Sequence, residues 1–178
     1  MIKKLQKGLK DINIDPEYHI IYKKTNLKLV VLRPNDLAQM GDLIGQGNKD
    51  IITWIGKTVG RNIAEIVDKS ESPKNKNDLI VKSCKNLENL GFGILTVENY
   101  HEGKAMDVRV ENPLYRELDE NQDIISTIYV GLFLGILEYV GYQAQGVEIE
   151  AAWKNKEINH SLYQMTIGEV ARSEGSQA

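Results

Sequence analysis

Hydrophobic and polar positions recur in two different periods along this chain, and each period predicts a different kind of element. Apolar residues three or four positions apart are typical of helices with a buried face. This period covers four stretches, residues 37–44, 50–67, 78–89 and 123–139. Short apolar runs bounded by turn residues are typical of paired strands. These runs form three pairs, residues 18–22 with 27–32, 92–100 with 105–110, and 146–153 with 158–167.

Strands that follow one another through tight turns pair antiparallel, so the order of elements predicts a mostly antiparallel sheet with helices packed on one face. The fold class is therefore expected to be α+β. We assign residues 17–168 to one domain, residues 1–16 to an N-terminal amphipathic arm and residues 169–178 to a polar tail. The arm either folds onto its own or a partner subunit, or touches an acidic membrane surface through its lysines.

Two helices carry glycines four positions apart, so that each pair lies on one side of its helix. Gly56 and Gly60 form one pair, and Gly131 and Gly135 form the other. Glycine removes side-chain bulk and lets a second backbone come close. We therefore expect each pair to mark a tight helix–helix contact.

Composition limits the possible classes of function. The chain has 178 residues, 42% of them hydrophobic, which predicts one globular domain. Its net charge of −3 argues against nucleic acid as the main partner. No apolar run reaches the roughly 18 residues that a membrane helix needs, so we expect a cytoplasmic protein without stable membrane insertion. The single cysteine, Cys84, excludes an internal disulfide and a cysteine-rich zinc site.

Motifs for catalysis are missing from the sequence. There is no glycine-rich phosphate loop and no G-x-S-x-G nucleophile turn. His19, His101 and His160 fall on separate predicted elements, so we expect no metal site and no cofactor. Cys84 is either a nucleophile or acylation site, or a small buried hydrophobic residue, and its place on an apolar helix face favours burial.

Three glutamates allow more than one interpretation. Glu148 and Glu150 are a catalytic carboxylate pair or, as the alternation of their strand favours, part of a solvated strand face. Glu138 interrupts an apolar helix and needs a partner, which Arg61 or a lysine can supply. No catalytic residue is predicted from these carboxylates.

Large apolar side chains on the glycine-bearing helices exceed what one core obviously requires. They either form the core and a dimer interface, or they line a pocket for an apolar ligand, and periodicity does not separate the two. The residues predicted to line such a pocket are Trp54, Ile55, Val59, Ile63, Cys84, Leu87, Leu132, Phe133, Ile136 and Tyr139.

Several segments resemble the 4-vinyl reductase domain family, whose relatives include subunits of the TRAPP vesicle-tethering complex. The segments are Ile55–Ala64, Asn89–Gly93, Val108–Leu114, the glycine-bearing run Tyr129–Glu138 and Val147–Glu150. The similarity covers about residues 27 to 167, and it is a pattern of glycines and hydrophobic residues without a catalytic signature.

The resemblance implies an α+β fold shared with haem-NO-binding sensor domains, a homodimer, and a hydrophobic channel that holds a small molecule or an acyl chain. Many members carry cysteines in the last hairpin that suggest a bound metal. Here the matching positions are Trp153 and Ser161, with Glu157 where a glycine is common. We therefore expect no metal there, and no haem, because the tyrosine-serine-arginine set of haem-binding relatives is missing.

These observations favour a non-enzymatic domain that binds a hydrophobic ligand and acts as a sensor or carrier. A structural adaptor that uses its apolar helices only for core and interface is the main alternative. A third hypothesis, an enzyme or enzyme accessory acting on a hydrophobic substrate, rests on the resemblance alone.

Overall fold

Four helices and seven strands make up the part of the chain that the computed structural model describes, residues 12–17, 19–23, 27–45, 47–116, 118–155 and 157–169. The helices are α1 (Pro34–Ile44), α2 (Asn48–Glu71), α3 (Lys76–Asn89) and α4 (Gln122–Tyr139). The strands are β1 (Ile12–Ile14), β2 (Ile20–Tyr22), β3 (Leu27–Leu29), β4 (Ile94–His101), β5 (Ala105–Glu111), β6 (Tyr142–Glu150) and β7 (His160–Glu169).

All strand pairs in the described residues are antiparallel, and they form two sheets. The smaller sheet has the order β1-β2-β3, and the larger has the order β4-β5-β7-β6. Helix α4 packs between α2 and the larger sheet. The predicted α+β class with hairpin strands is confirmed. Within the described residues, no helix has the length and apolar character needed to cross a membrane.

The two glycine pairs bring α2 and α4 into backbone contact. A Cβ added to any of these glycines would overlap a carbonyl oxygen of the opposite helix: Ile128 for Gly56, Leu132 for Gly60, Thr53 for Gly131 and Lys57 for Gly135. Since backbone atoms cannot swing aside as a flexible side chain can, only glycine permits this separation. The close contact predicted from the spacing of the glycines is confirmed.

Ion pairs link the same two helices beside this contact. Lys57 Nζ lies 2.8 Å from Glu138 Oε2, and Lys49 Nζ lies 2.7 Å from Asp123 Oδ2. The carboxylate that interrupts the apolar helix therefore has a lysine partner, one of the two alternatives that the sequence left open. Both pairs are well exposed, so their contribution to stability is small.

One prediction about strand faces is wrong. The expected alternation on β6 placed Glu148 in solvent, yet Val147 and Ile149 are the exposed residues, at 57% and 48%. The strand begins at Tyr142, which is buried, and the inward positions then continue through Ala144 and Gly146 to Glu148. Glu148 faces inward because buried hydroxyl groups donate hydrogen bonds to its carboxylate.

Several element ends differ from the predicted ones. Helix α2 continues to Glu71 and α3 begins at Lys76, so the gap between the predicted helices, residues 68–77, shrinks to four residues. Asn75 caps α3 through a 2.9 Å bond to the Asp78 N–H. Strand β1 falls inside the predicted arm and pairs with β2. Residues 1–11 of the arm, and the tail beyond residue 169, lie outside the described residues.

Candidate functional site

An apolar cavity of about 490 Å³ lies between α2, the extended segment that joins β3 to α1, and the turn that follows α3. Its lining consists of Ile12, Leu29, Val30, Val31, Leu32, Pro34, Leu37, Ile55, Val59, Asn62, Ile63, Ile66, Leu90, Gly91, Phe92, Leu114 and Ile128. Among these described residues, Asn62 has the one polar side chain and none is ionisable. The cavity therefore suits an uncharged, apolar molecule.

Helix periodicity explains one wall of this cavity. Ile55, Val59, Ile63 and Ile66 follow one another at spacings of three and four, so they form a single stripe along α2. The facing wall is the run from Val30 to Leu32, which lies outside any strand and exposes 86%, 72% and 52% of its three residues. An apolar run this exposed lacks a packing partner among the described residues.

Tyr129 holds two pieces of the cavity wall together. Its hydroxyl accepts a 2.8 Å hydrogen bond from the Leu114 N–H and donates a 2.8 Å hydrogen bond to the Phe92 carbonyl. The ring is fully buried and stacks on Tyr163, with centroids 5.4 Å apart. Burial raises the pKa of Tyr129 above its usual range, so the hydroxyl stays protonated and keeps its donor.

The residues predicted to line a pocket fall into three groups. Ile55, Val59 and Ile63 line the cavity. Five others are fully buried in the core and do not line it: Cys84, Leu87, Leu132, Phe133 and Ile136. Trp54 and Tyr139 lie elsewhere, because Trp54 is 65% exposed and the Tyr139 hydroxyl donates to Asp68 Oδ2.

Sequence reasoning missed the walls that do not come from helices. Phe92 and Leu114 belong to segments that carried the family resemblance, but they were not assigned to a site. The sequence carried a signal for the wall formed by Val30 to Leu32. The apolar run that ends at Leu32 continues three residues beyond the end of β3 at Leu29, which is more than the strand needs.

Cys84 is a core residue and not a reactive group of the cavity. The side chain is 1% exposed, and burial raises the pKa of its thiol to about 12. The thiolate is the nucleophilic form of cysteine, so the thiol is unreactive at neutral pH. This placement favours the small buried hydrophobic residue over the acylation site.

The residues at the last hairpin do not fit a metal ion. Trp153 Nε1 donates to Glu148 Oε2 at 2.9 Å, and Ser161 Oγ accepts from the Ala152 N–H at 2.9 Å. An indole N–H is a donor only, and zinc takes its ligands from Cys, His, Asp and Glu. The residues at the positions where the family resemblance places metal ligands are thus engaged in hydrogen bonds to other groups of the protein.

Three possible metal ligands do meet elsewhere, in the turn between β1 and β2. Asp15, Glu17 and His19 bring one ligand atom each within 4.8 Å of the others. Asp15 already accepts the backbone N–H groups of Glu17 and His19, at 2.9 and 2.8 Å. The Lys28 ammonium lies 3.4 Å from His19 Nε2 and 3.9 Å from Glu17 Oε2, so a positive charge already faces the acidic side chains. Contacts within the turn, together with Lys28 on β3, therefore account for this cluster.

A second cavity, of about 680 Å³, lies where the end of α4 meets β6 and β7. Its lining includes the Lys57–Glu138 ion pair and the side chains of Gln143 and Gln145. This lining carries charged and amide side chains, and its lysine and glutamate already pair with each other, in contrast to the uncharged lining of the first cavity. The first cavity is therefore the candidate site.

No known protein-family profile and no curated protein sequence matches this chain. Solved structures are similar to it at low sequence identity. The phenol-responsive sensory domain of the transcription activator PoxR, solved with phenol, aligns with a TM-score of 0.71 and 13% identity, covering 93% of this chain and 89% of that chain.

Two further structures come from the groups that the sequence pattern resembles. Subunit 3 of a trafficking protein particle complex from Naegleria fowleri, covalently bound to palmitic acid, aligns with a TM-score of 0.55 and 16% identity over 79% of this chain and 98% of that chain. A vinyl-4-reductase family protein from Methanocaldococcus jannaschii aligns with a TM-score of 0.52 and 17% identity, covering 79% of this chain and 85% of that chain. The chain therefore has the fold of these three proteins, and the resemblance is confirmed at the level of the fold.

Proposed function

We propose that this protein is a non-enzymatic domain that binds an uncharged apolar small molecule in the 490 Å³ cavity, and that it acts as a sensor or carrier. The observation that carries the proposal is the lining, whose described side chains are apolar except for Asn62. Ile55, Val59 and Ile63 remain in the proposed ligand site, and Phe92 and Leu114 join them. The homodimer expected from the resemblance stays a prediction.

The size of the cavity suits a compact ligand. An apolar cavity of about 150 Å³ is large enough to hold benzene, so the space here accepts a substituted ring or a short alkyl chain. Burying about 200 Å² of apolar ligand surface contributes about 5 kcal/mol at 25 cal/mol per Å². The net affinity is lower, because association costs translational and rotational freedom.

Binding without chemistry is supported by what the lining lacks. General acid–base and nucleophilic catalysis both need a titratable or nucleophilic side chain within reach of the substrate. The described lining offers none, and the Cys84 thiol lies outside it. Proteins of the same fold bind phenol or carry covalent palmitic acid, which supports an apolar ligand here.

The test combines ligand identification with a variant that fills the cavity. Mass spectrometry of organic extracts of the purified protein identifies any apolar molecule it retains. Thermal unfolding is then measured with phenol and toluene as probes, because both are compact and uncharged at neutral pH. Val59→Phe projects a ring into the cavity, and Val81→Phe is the matched control, because Val81 is 46% exposed on α3 and does not line the cavity.

We expect the wild type and Val81→Phe to retain an apolar molecule or to be stabilised by at least one probe, since binding to the native state raises the unfolding midpoint. Val59→Phe should lose both responses. An empty extract together with no response to any probe would contradict the proposal. Equal responses from Val59→Phe and the wild type would also contradict it.

A second candidate, an adaptor that contacts another protein, is favoured by apolar side chains outside the cavity. Trp54 on α2 and Val147 and Ile149 on β6 are all exposed. Large exposed apolar residues often mark protein interfaces. Native mass spectrometry separates the two functions: an oligomer that Trp54→Ser dissociates and Val81→Ser does not, with an empty cavity, would support the adaptor.

A further inference from the structure

A carboxylate at the end of β6 collects hydrogen bonds from three separate parts of the chain. Glu148 Oε1 accepts from the Tyr115 hydroxyl at 2.8 Å and from the Tyr163 hydroxyl at 3.0 Å. Glu148 Oε2 accepts from Trp153 Nε1 at 2.9 Å. We call Glu148, Tyr115, Tyr163, Trp153 and Ser161 the carboxylate cluster.

Ser161 completes the carboxylate cluster on the opposite strand. Its Oγ hydrogen bonds to the Tyr115 hydroxyl and accepts from the Ala152 N–H at 2.9 Å. Tyr115, Tyr163 and Ser161 are each fully buried. The cluster thus ties the connection between β6 and β7, at Ala152 and Trp153, to the segment that follows β5.

The donors of this cluster keep their protons at neutral pH. Burial raises the pKa of the Tyr115 and Tyr163 hydroxyls above the usual range of tyrosine. Hydrogen bonds to a carboxylate are stronger than those between neutral groups. The cluster therefore satisfies both oxygens of the Glu148 carboxylate with protein donors.

The cluster is also continuous with the cavity wall. Tyr115 follows Leu114, which lines the cavity, and Tyr129 lies against both cluster tyrosines. The Tyr129 ring centroid is 6.0 Å from that of Tyr115 and 5.4 Å from that of Tyr163. Movement of the cluster would therefore displace Tyr129, which holds Phe92 and Leu114 in place.

We propose that the carboxylate cluster fastens the last hairpin to the core and supports the cavity wall without a metal ion, at the position where the family resemblance implies a metal. Glu148 is the one residue of the cluster with a side chain that zinc commonly takes, and its two oxygens already accept three donors. Glu148 is a positioning residue, and its role does not depend on the identity of the ligand.

The experiment compares metal content with two matched variants. The tag-free protein is prepared from cells grown with added zinc, its metal content is measured by inductively coupled plasma mass spectrometry, and thermal unfolding is followed with and without EDTA. Glu148→Gln keeps the size of the side chain but replaces one acceptor oxygen with a donor. Glu150→Gln is the control, because Glu150 lies two residues away on the same strand, is exposed, and contacts His160.

We expect less than about a tenth of a zinc ion per protein molecule and no change of the unfolding midpoint with EDTA. The reason is that the carboxylate cluster does not bring together the four ligands that a structural zinc site needs. Glu148→Gln should lower the midpoint by roughly 5 to 10 °C, because buried donors lose a charged acceptor. Glu150→Gln should stay close to the wild type. Near-stoichiometric zinc whose removal by EDTA lowers the midpoint would overturn the proposal, as would equal midpoints for the two variants.

Trp153→Phe keeps the proposal testable if Glu148→Gln does not fold. This substitution removes one N–H donor and retains an aromatic ring, so a smaller fall in midpoint is expected. A fall that is independent of EDTA would support the carboxylate cluster. No fall would show that the donors to Glu148 do not hold the hairpin, and would overturn the proposal.

Discussion

At the scale of single residues, Tyr129 combines several separate roles. Its hydroxyl joins the turn after α3 to the segment after β5, and its ring packs against Phe92, Tyr115, Phe133 and Tyr163. A phenol is suited to this position because it combines a large apolar ring with one polar group that can both donate and accept. The sequence places Tyr129 on an apolar helix and in the glycine-bearing run that carries the family resemblance, but it predicts none of these contacts.

Tyr129→Phe is expected to destabilise the fold by about 1 to 3 kcal/mol, because it leaves the Leu114 N–H and the Phe92 carbonyl without their partner. Urea unfolding followed by circular dichroism measures the change in the free energy of unfolding. Tyr139→Phe is the control, since the Tyr139 hydroxyl bonds to exposed Asp68 and its loss should cost much less. Equal losses for the two variants would contradict this account of Tyr129.

At the scale of elements, the contact between α2 and α4 determines the architecture. Each helix places its two glycines against two carbonyl oxygens of the other helix, so the two backbones approach closely. In an isolated helix, replacing glycine by alanine is favourable by about 1 kcal/mol. The four glycines therefore lower the intrinsic stability of the two helices, and the close contact between the helices is what requires them.

Gly135→Ala tests this contact. The added Cβ would overlap the Lys57 carbonyl, so the helices must separate, and we expect a loss of about 1 to 3 kcal/mol in the free energy of unfolding despite the better helix propensity. Chemical denaturation measures the loss. Thr58→Ala, on the exposed face of α2, should change stability by less than about 0.5 kcal/mol. A Gly135→Ala variant as stable as the wild type would show that the contact is open.

At the scale of the whole molecule, buried tyrosines determine how stability depends on alkaline pH. Tyr115, Tyr129 and Tyr163 pack together, and burial raises the pKa of each above the ordinary value of 10.0. Above pH 10 the unfolded chain loses these protons while the folded chain retains them. Loss of these protons favours the unfolded state. The contribution of the three tyrosines to the free energy of unfolding is therefore complete below pH 10 and falls as pH rises above it.

We expect the free energy of unfolding to be nearly constant from pH 7 to 9 and to fall above about pH 10, by up to about 1.4 kcal/mol per pH unit for each of these tyrosines. Denaturation midpoints measured across this range test the prediction. Tyr163→Phe should give a shallower fall, because one titrating group is removed. A wild-type curve that stays flat to pH 12 would contradict the prediction.

The sequence by itself determined most of the elements, with β1 as an exception, and the main helix contact. The period of the apolar residues identified α2, α3, α4 and the hairpins, because secondary structure depends on which face of each element is buried. The glycine spacing predicted the α2–α4 contact, since the lack of a side chain has the same consequence wherever a second helix packs. Element ends were less accurate, as at the loop before α3, where capping by Asn75 sets the boundary.

The candidate site was decided by the tertiary structure. Ile55, Val59 and Ile63 were foreseen because they share a helix stripe, but Phe92 and Leu114 reach the cavity from distant segments. The strand pattern placed Glu148 in solvent, while hydrogen bonds from Tyr115 and Tyr163 turn it inward. Periodicity indicates which residues of an element share its buried face. Whether such a residue meets a hydrogen-bond donor or lines a cavity depends on contacts between residues far apart in the chain.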